Sequence, residues 1–299
     1  MVITLSGATG LLGGALIPRL LASGHQVRLL SRTARTGLAP GVDLFLWDAA
    51  KQEPPVEALR GADVVVHLAG ESVAQRWTPV VKERLVSSRL DSTRLLVQAI
   101  STLSERPKLL LSASATGYYG DRGNEVLVES STPGKDFLAR LSVDWEAQAN
   151  QARSLGLRVH TLRTGIVLAK QGGALEKMLP AFRFGVGGKI GSGEQWMSWI
   201  HVEDWVGIVE MLLAQEVAPG PVNLVSPSAV QNEEFTKVLG RVLRRPALLT
   251  VPKVALQLLY GEMAGVILGS QRVEPKVAKG AGYAFRYPQL EAALRNLLQ

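Results

Sequence analysis

The 299-residue chain contains no cysteine. That excludes disulfides, a thiolate nucleophile and any Cys-ligated metal, and it fits a reducing compartment. Long hydrophobic runs are also missing. No stretch approaches the ~20 apolar residues of a membrane-spanning helix. Met1–Ala22 is apolar, but it lacks a basic leader, and Gly and Thr interrupt it where a secretion signal is continuous. Basic clusters are absent too. Against 26 Asp and Glu stand 33 Lys and Arg, a net charge of +7, but the cations are scattered. Without a basic run or basic–aromatic interleaving, nucleic acid is not an expected partner. The excess charge suits an anionic small ligand instead. The expectation is a cytoplasmic protein, monomeric or homodimeric, with no membrane partner and no metal.

What is present is an alternation. Apolar runs occur at Val2–Ser6, Val27–Leu30, Leu44–Trp47, Val64–Leu68, Lys108–Ser112 and Arg158–Leu162. Helical patterns lie between several of them, at Leu12–Ala22, Val80–Leu103 and Phe137–Ser154. Continuous apolar strands separated by amphipathic helices predict an α/β fold, a doubly wound parallel sheet of the Rossmann type. After about Arg163 the texture changes. Gly165–Gly193 reads as glycine-rich and irregular, and a Trp-rich segment follows at Gln195–Trp205. Helices are expected at Asn232–Leu243, Pro252–Gly269 and Pro288–Leu298, with a strand at Leu248–Val251. The predicted division is a nucleotide-binding domain over 1–165, to which about 194–225 returns, and a smaller α/β cap from 166–193 and 226–299.

The densest motif is GATGLLG after the first strand. Gly7 takes the tight turn, Gly10 lets backbone approach a pyrophosphate, and Gly13 lets the following helix pack close. Thr9, Leu11 and Leu12 complete the cradle at the helix N-terminus, where free N–H groups and the macrodipole favour an anion. The end of the second strand selects the dinucleotide. An acid there would hold the ribose 2′-hydroxyl of NAD; this chain has Ser31 and Arg32, which suit the 2′-phosphate of NADP(H). Trp47 and Asp48 end the third strand where adenine is expected. Leu68, Ala69 and Gly70 close the fourth in the sequence HLAG, followed by Glu71 and Arg76 beside the expected ribose and phosphates. Ser112 and the Gly165–Ile166 loop are assigned to the cofactor as well. His67 reads as a packed strand residue.

These residues resemble the short-chain dehydrogenase/reductase superfamily, in its extended, epimerase-like branch. SASATGYYG at Ser112–Gly120, FLARLSVDWE at Phe137–Glu146, GGKIGSGEQWMSWI at Gly187–Ile200 with His201, and the tail Tyr260–Leu290 narrow the resemblance. They are similar to an atypical group, the epimerase family proteins, which carry a small C-terminal domain of their own. The resemblance implies a Ser after the fifth strand, matched by Ser114, and a Tyr-x-x-x-Lys pair on the next helix. With that helix anchored on Glu146, the Tyr and Lys positions fall on Leu138 and Ser142.

The usual proton-transfer pair is therefore missing, and two readings stay open. In one, the chain is an oxidoreductase or nucleotide-sugar-epimerase-like enzyme on a small carbonyl or hydroxyl substrate. Ser114 would orient the substrate, and Tyr119, Tyr118 or Glu71 would move the proton; both tyrosines serve equally as pocket walls, and Glu71 reads first as a ligand of the cofactor ribose. In the other, it is a catalytically silent NADPH-binding protein with a regulatory or scaffold role, a setting in which division has been invoked for the resembling group. The expected substrate pocket comprises Tyr118, Met178, Phe182, Gln195, Trp196, Trp199 and His201: aromatic faces with a few polar groups. Trp205 is expected in the core, and Asp204 is expected to cap the helix after His201.

Overall fold

The computed structural model describes every residue except Ala50. The first half runs β1 (Val2–Ser6), α1 (Leu11–Ala22), β2 (Gln26–Ser31), β3 (Val42–Leu46), α2 (Val56–Leu59), β4 (Val64–His67), α3 (Pro79–Ser101), β5 (Leu109–Ala115), β6 (Val126–Leu127), α4 (Phe137–Asn150) and β7 (Arg158–Thr164). The second runs β8 (Ile166–Leu168), α5 (Gly173–Arg183), β9 (Gly188–Ile190), β10 (Trp196–Met197), β11 (Trp199–His201), α6 (Val202–Ala214), β12 (Gly220–Leu224), β13 (Val230–Gln231) and α7 (Asn232–Leu243). It closes with β14 (Leu249–Val251), α8 (Lys253–Tyr260), α9 (Ala264–Leu268), β15 (Arg272–Val273), α10 (Lys276–Gly280) and α11 (Leu290–Leu298).

Seven strands make one sheet in the order β12-β7-β5-β4-β1-β2-β3, every pair parallel. The connection reverses direction between β1 and β4, which opens a crevice at their C-terminal ends. Pleating sends neighbouring side chains to opposite faces. Val64 and Val66 pack with α1 and α6, whereas Val65 packs with α3 and the end of α4. Leu109, Leu110 and Leu111 alternate in the same way. Both faces are therefore covered, which is why these strands read as unbroken apolar runs.

A separate cluster holds the later segments together. Leu175, Leu179 and Phe182 on α5 meet Met197 and Trp199, Phe235 and Leu239 on α7, and Leu294 on α11. The segment Gly165–Gly193 is accordingly not irregular. It contains β8, α5 and β9. Three of its positive-φ glycines, Gly172 at 78°, Gly173 at 71° and Gly185 at 74°, sit where α5 begins and just past its end. Between them, Leu175, Leu179 and Phe182 keep a helical spacing.

The expected helix over Pro252–Gly269 is broken. α8 stops at Gly261, whose φ is 60°, and α9 starts three residues later. Leu256 and Met263 are buried as expected, but Leu259, on α8 before the break, is exposed. Trp205 lies in the core with its indole Nε1 donating to Thr164. Among the described residues, no helix is long and apolar enough to cross a membrane.

Candidate functional site

The turn after β1 is built by close approach. Gly7 has a φ of 73°, and a side chain there would meet the Leu68 carbonyl carbon at 2.6 Å. The β1–α1 turn therefore lies directly against the loop after β4. A side chain on Gly13 would meet Ala8 Cα at 2.5 Å, so the first turn of α1 is pressed onto the glycine turn. Around Gly10 the only such neighbour among the described residues is the Gly7 carbonyl oxygen, at 3.5 Å. Gly10 is also the N-cap of α1, without a side-chain cap and with no acid in the first turn. The leading N–H groups of α1 thus have no side-chain partner, the arrangement that accepts an anion.

A cavity of about 490 Å³ opens there. Gly7, Thr9 and Gly10 form its floor, Ser31, Arg32, Trp47 and Asp48 one end, and Leu68, Ala69, Gly70, Glu71 and Ser88 the other. Ser31 is buried, with its hydroxyl turned onto the Thr33 backbone. Arg32 is exposed and has no acidic partner among the described residues. Asp48 pairs with Lys51 at 3.0 Å. Trp47 is buried, its Nε1 donating to the Gln52 carbonyl at 2.8 Å. His67 is fully buried between Ser6 at 2.6 Å and Ser92 at 3.2 Å, and burial pushes its pKa down to about 4.

The remaining assigned residues lie outside this cavity. Gly13 and Leu12 sit behind the turn, and Leu11 packs beneath Gly172 and Gly173. Ser112 is buried on β5, in register with His67. Gly165 and Ile166 bind Leu224 and Ser198 through their backbone N–H groups. Arg76 does not turn toward the phosphates. It donates to the Leu258 carbonyl at 2.8 Å, because the loop after β4 crosses to meet α8.

A buried polar network occupies the ends of β5 and β7. Ser114 Oγ donates to Glu146 Oε1 at 2.7 Å. Arg163 grips the same carboxylate with Nε at 2.7 Å and Nη2 at 2.8 Å. Its Nη1 donates to Tyr119 Oη at 3.1 Å, and Tyr119 in turn donates to Asn223 Oδ1 at 2.7 Å. Tyr119 is fully buried, and its pKa is pushed up to about 12 by burial, against the pull of Arg163. Its phenol is a fixed strut, not a group poised to exchange protons near neutrality. Ser114 has its hydroxyl proton committed to Glu146, so it can accept a hydrogen bond from a ligand but cannot donate one to a carbonyl. Tyr118 is half-buried, with the Arg163 guanidinium 3.4 Å from its ring centre.

The expected substrate residues do not converge. Phe182 and Trp199 are core residues of the second cluster, and Met178 packs against it. Trp199 Nε1 is bound to the Ser228 carbonyl. Gln195 is buried and donates to the Ile190 carbonyl at 3.2 Å. Trp196 is clasped between Asn124, at 2.9 Å, and Arg272, 4.5 Å from its ring centre. His201, not Asp204, caps α6: its Nδ1 accepts from the Glu203 N–H at 3.1 Å, and its ring stacks on Tyr287. Asp204 instead accepts from the Tyr283 hydroxyl and from the backbone N–H groups of Arg286 and Tyr287. Sequence reasoning missed Ser88, Arg89, Glu129 and Arg163. Only Arg163 carried a signal, as a charge within a strand of the central sheet.

A parallel sheet covered on both faces, with a glycine turn at its switch point, defines a Rossmann-type nucleotide-binding protein. The chain belongs to the NAD dependent epimerase/dehydratase family, which matches residues 3–225, and a domain of unknown function (DUF1731) matches 251–297. An Arabidopsis thaliana epimerase family protein SDR39U1 homolog, chloroplastic, is 39% identical over 303 residues, covering 100% of this chain and 87% of that protein. Epimerase family protein YfhF of Bacillus subtilis is 37% identical, covering 100% and 98%. The crystal structure of human epimerase family protein SDR39U1 (isoform2) with NADPH superposes with a TM-score of 0.89 at 34% identity, over 99% of each chain. The resemblance drawn from the sequence motifs is borne out.

Proposed function

We propose that this chain binds NADP(H) in the cavity at the β1–β4 crevice and holds it without the proton-transfer pair of ordinary reductases. One observation carries the choice of cofactor. The end of β2 presents to the cavity Ser31 and an exposed Arg32 that has no acidic partner among the described residues, and no carboxylate follows β2 itself to claim a ribose diol; Asp48, just after β3, pairs with Lys51. A planar guanidinium suits a 2′-phosphate. Gly7, Gly10 and the uncapped start of α1 suit the pyrophosphate, and Trp47 walls the adenine end. The NADPH in the human relative's crystal structure agrees with this reading.

Bound NADPH supplies a hydride; this chain would have to supply the proton. Tyr119 is locked in the core, the Ser114 hydroxyl spends its hydrogen bond on Glu146, and Leu138 and Ser142 stand on α4 at the positions the resemblance gives to Tyr and Lys. That pattern favours a regulatory or scaffold protein that reports on NADPH. A second reading, an oxidoreductase or epimerase-like enzyme on a small carbonyl or hydroxyl compound, is favoured by Tyr118. Its phenol is half-buried beside the Arg163 cation, and its hydroxyl has no partner among the described residues. Titration with NADPH and NADH, followed by NADPH oxidation across a carbonyl panel, separates the readings. Micromolar NADPH binding with no turnover supports the first. Turnover that Tyr118→Phe abolishes supports the second. Equal affinity for NADH and NADPH would overturn the cofactor assignment.

A further inference from the structure

Away from the cofactor cavity, the fold gathers cations that the sequence keeps apart. No acid lies between Glu176 and Glu194, nor between Glu234 and Glu262, and these stretches hold three and five Lys or Arg respectively. The fold lays the two side by side. β14 pairs with β9, Leu249 opposite Gly188, and a side chain on Gly185 would begin 3.4 Å from the Pro246 ring. Lys189, Lys237 and Arg241 are matched by Glu233 and Glu291, and Lys177 by a backbone carbonyl. Arg183, Arg244 and Arg245 are exposed, and their side chains have no partner among the described residues.

Apolar surface lies between these cations. Among the described residues, Leu248 and Phe184 are the most exposed large hydrophobics, at 88% and 84%, and Val186 and Leu249 are open to solvent beside them. A parallel sheet is ordinarily covered on both faces. Here Leu249 and Thr250, which point to opposite faces, are both exposed. β14 has β9 along one edge and no described strand along the other. Arg244 adds a backbone signal. Its φ is 53°, the one positive value outside glycine among the described residues. It ends α7 in a left-handed turn that glycine adopts more readily, so strain is kept together with an unpartnered guanidinium.

Charge and backbone together choose what covers this face. A second copy of the chain in a two-fold dimer would set these arginines against their own counterparts. Lipid would leave the open edge of β14 without hydrogen-bond partners. A polypeptide strand satisfies that edge, and acidic side chains on it complement the arginines. We propose that β14, with the Phe184 and Arg244 turns beside it, is a docking surface for an extended acidic segment of a partner protein. The segment adds as a strand to β14. Its carboxylates meet Arg183, Arg244 and Arg245, and its apolar side chains cover Phe184 and Leu248.

The test is fluorescence anisotropy of the whole protein with three labelled octapeptides, EVEVEVEV, ESESESES and KVKVKVKV. The first should bind, more weakly as salt is added, and the other two at least about tenfold less well. Arg244→Gly should weaken EVEVEVEV roughly two- to fivefold, while its urea midpoint stays at or above that of wild type because the turn is relieved. Phe184→Ser combined with Leu248→Ser, both on the surface, should weaken it at least about tenfold. No binding of EVEVEVEV, equal binding of ESESESES, or full affinity in Arg244→Gly overturns the proposal. Two further results overturn the choice of occupant. One is co-sedimentation with phosphatidylcholine–phosphatidylserine vesicles that the Phe184→Ser, Leu248→Ser variant abolishes while EVEVEVEV binding survives. The other is self-association of the wild type that the same variant abolishes.

Discussion

Arg163 and Glu146 meet in a two-point ion pair, Nε to Oε1 at 2.7 Å and Nη2 to Oε2 at 2.8 Å, with both side chains almost wholly buried between α4 and β7. Burial works against the charge on Arg163, but the Glu146 carboxylate holds its pKa above the ordinary arginine value. The pair stands at the end of β5, where the superfamily pattern would lead one to look for catalysis. Its partners are Ser114, Tyr119 and the Glu129 carbonyl, so it ties α4 and β7 to β5, to the turn after β5 and to the segment after β6.

Removing one partner leaves a buried charge alone. Glu146→Leu or Arg163→Met should each cost about 3–5 kcal/mol of stability, while the double variant recovers much of that loss. Urea unfolding of the three variants measures the difference. Additive losses in the double variant would mean that the two charges are not coupled.

Tyr119→Phe removes one hydroxyl and strands Asn223 Oδ1 and an Arg163 donor. A loss of about 1–3 kcal/mol is expected, with NADPH affinity unchanged. The unfolding midpoint and a binding titration check it together. A specific loss of cofactor binding would place Tyr119 in the site after all.

Gly7→Ala introduces a left-handed alanine and a contact 2.6 Å from the Leu68 backbone. Strain on the order of 1–3 kcal/mol follows from the dihedral alone. The loop after β4 must also move, so NADPH affinity should fall at least about tenfold. Fluorescence titration reads the loss; wild-type affinity would rule out the close approach as a requirement for binding.

Arg32→Asp replaces the fork offered to a 2′-phosphate with an acid suited to a ribose diol. The NADPH-to-NADH affinity ratio should fall by roughly 10-fold or more. An unaltered ratio would show that Arg32 is only a surface residue.

His67 provides the pH dependence. Burial lowers its folded pKa to about 4, while the unfolded chain titrates near ~6.5. Between those values the unfolded chain holds a proton that the folded one does not. Stability is therefore complete above about pH 6.5 and lost as the pH falls toward 4, by roughly 3 kcal/mol. His160, buried and also lowered to about 4, acts in the same direction. Unfolding midpoints at pH 7 and 4.5 should show a smaller acid loss in His67→Gln than in wild type. Equal losses would assign the effect elsewhere.

The sheet and the glycine turn were legible because their signals are local. Residues four to seven apart make a strand or a tight turn, and their spacing survives in the linear chain. α7 matched its expected bounds for the same reason: a regular amphipathic repeat. α5 was obscured because positive-φ glycines at its ends look like loop, although they only start and stop a helix. Phe182 and Trp199 were expected in the substrate pocket for a different reason, whereas Trp205 is in the core as expected. An aromatic stripe has the same appearance in sequence whether it faces a ligand or a core, and the packing of α5, α7 and α11 turned Phe182 and Trp199 inward.

By itself, the sequence determined the doubly wound α/β class, the place of the cofactor turn, the family, and the lack of a carboxylate after β2. Each depends on neighbours in the chain. Only the tertiary structure decided the chemistry around that turn. Ser114 donates its hydrogen bond to a residue 32 positions away, Tyr119 is tied to Asn223 across 104, and Arg89 reaches the Glu71 backbone across 18. Those meetings are set by how α3, α4 and β12 pack on the sheet. Burial, which fixes who donates to whom, has no counterpart in residue spacing.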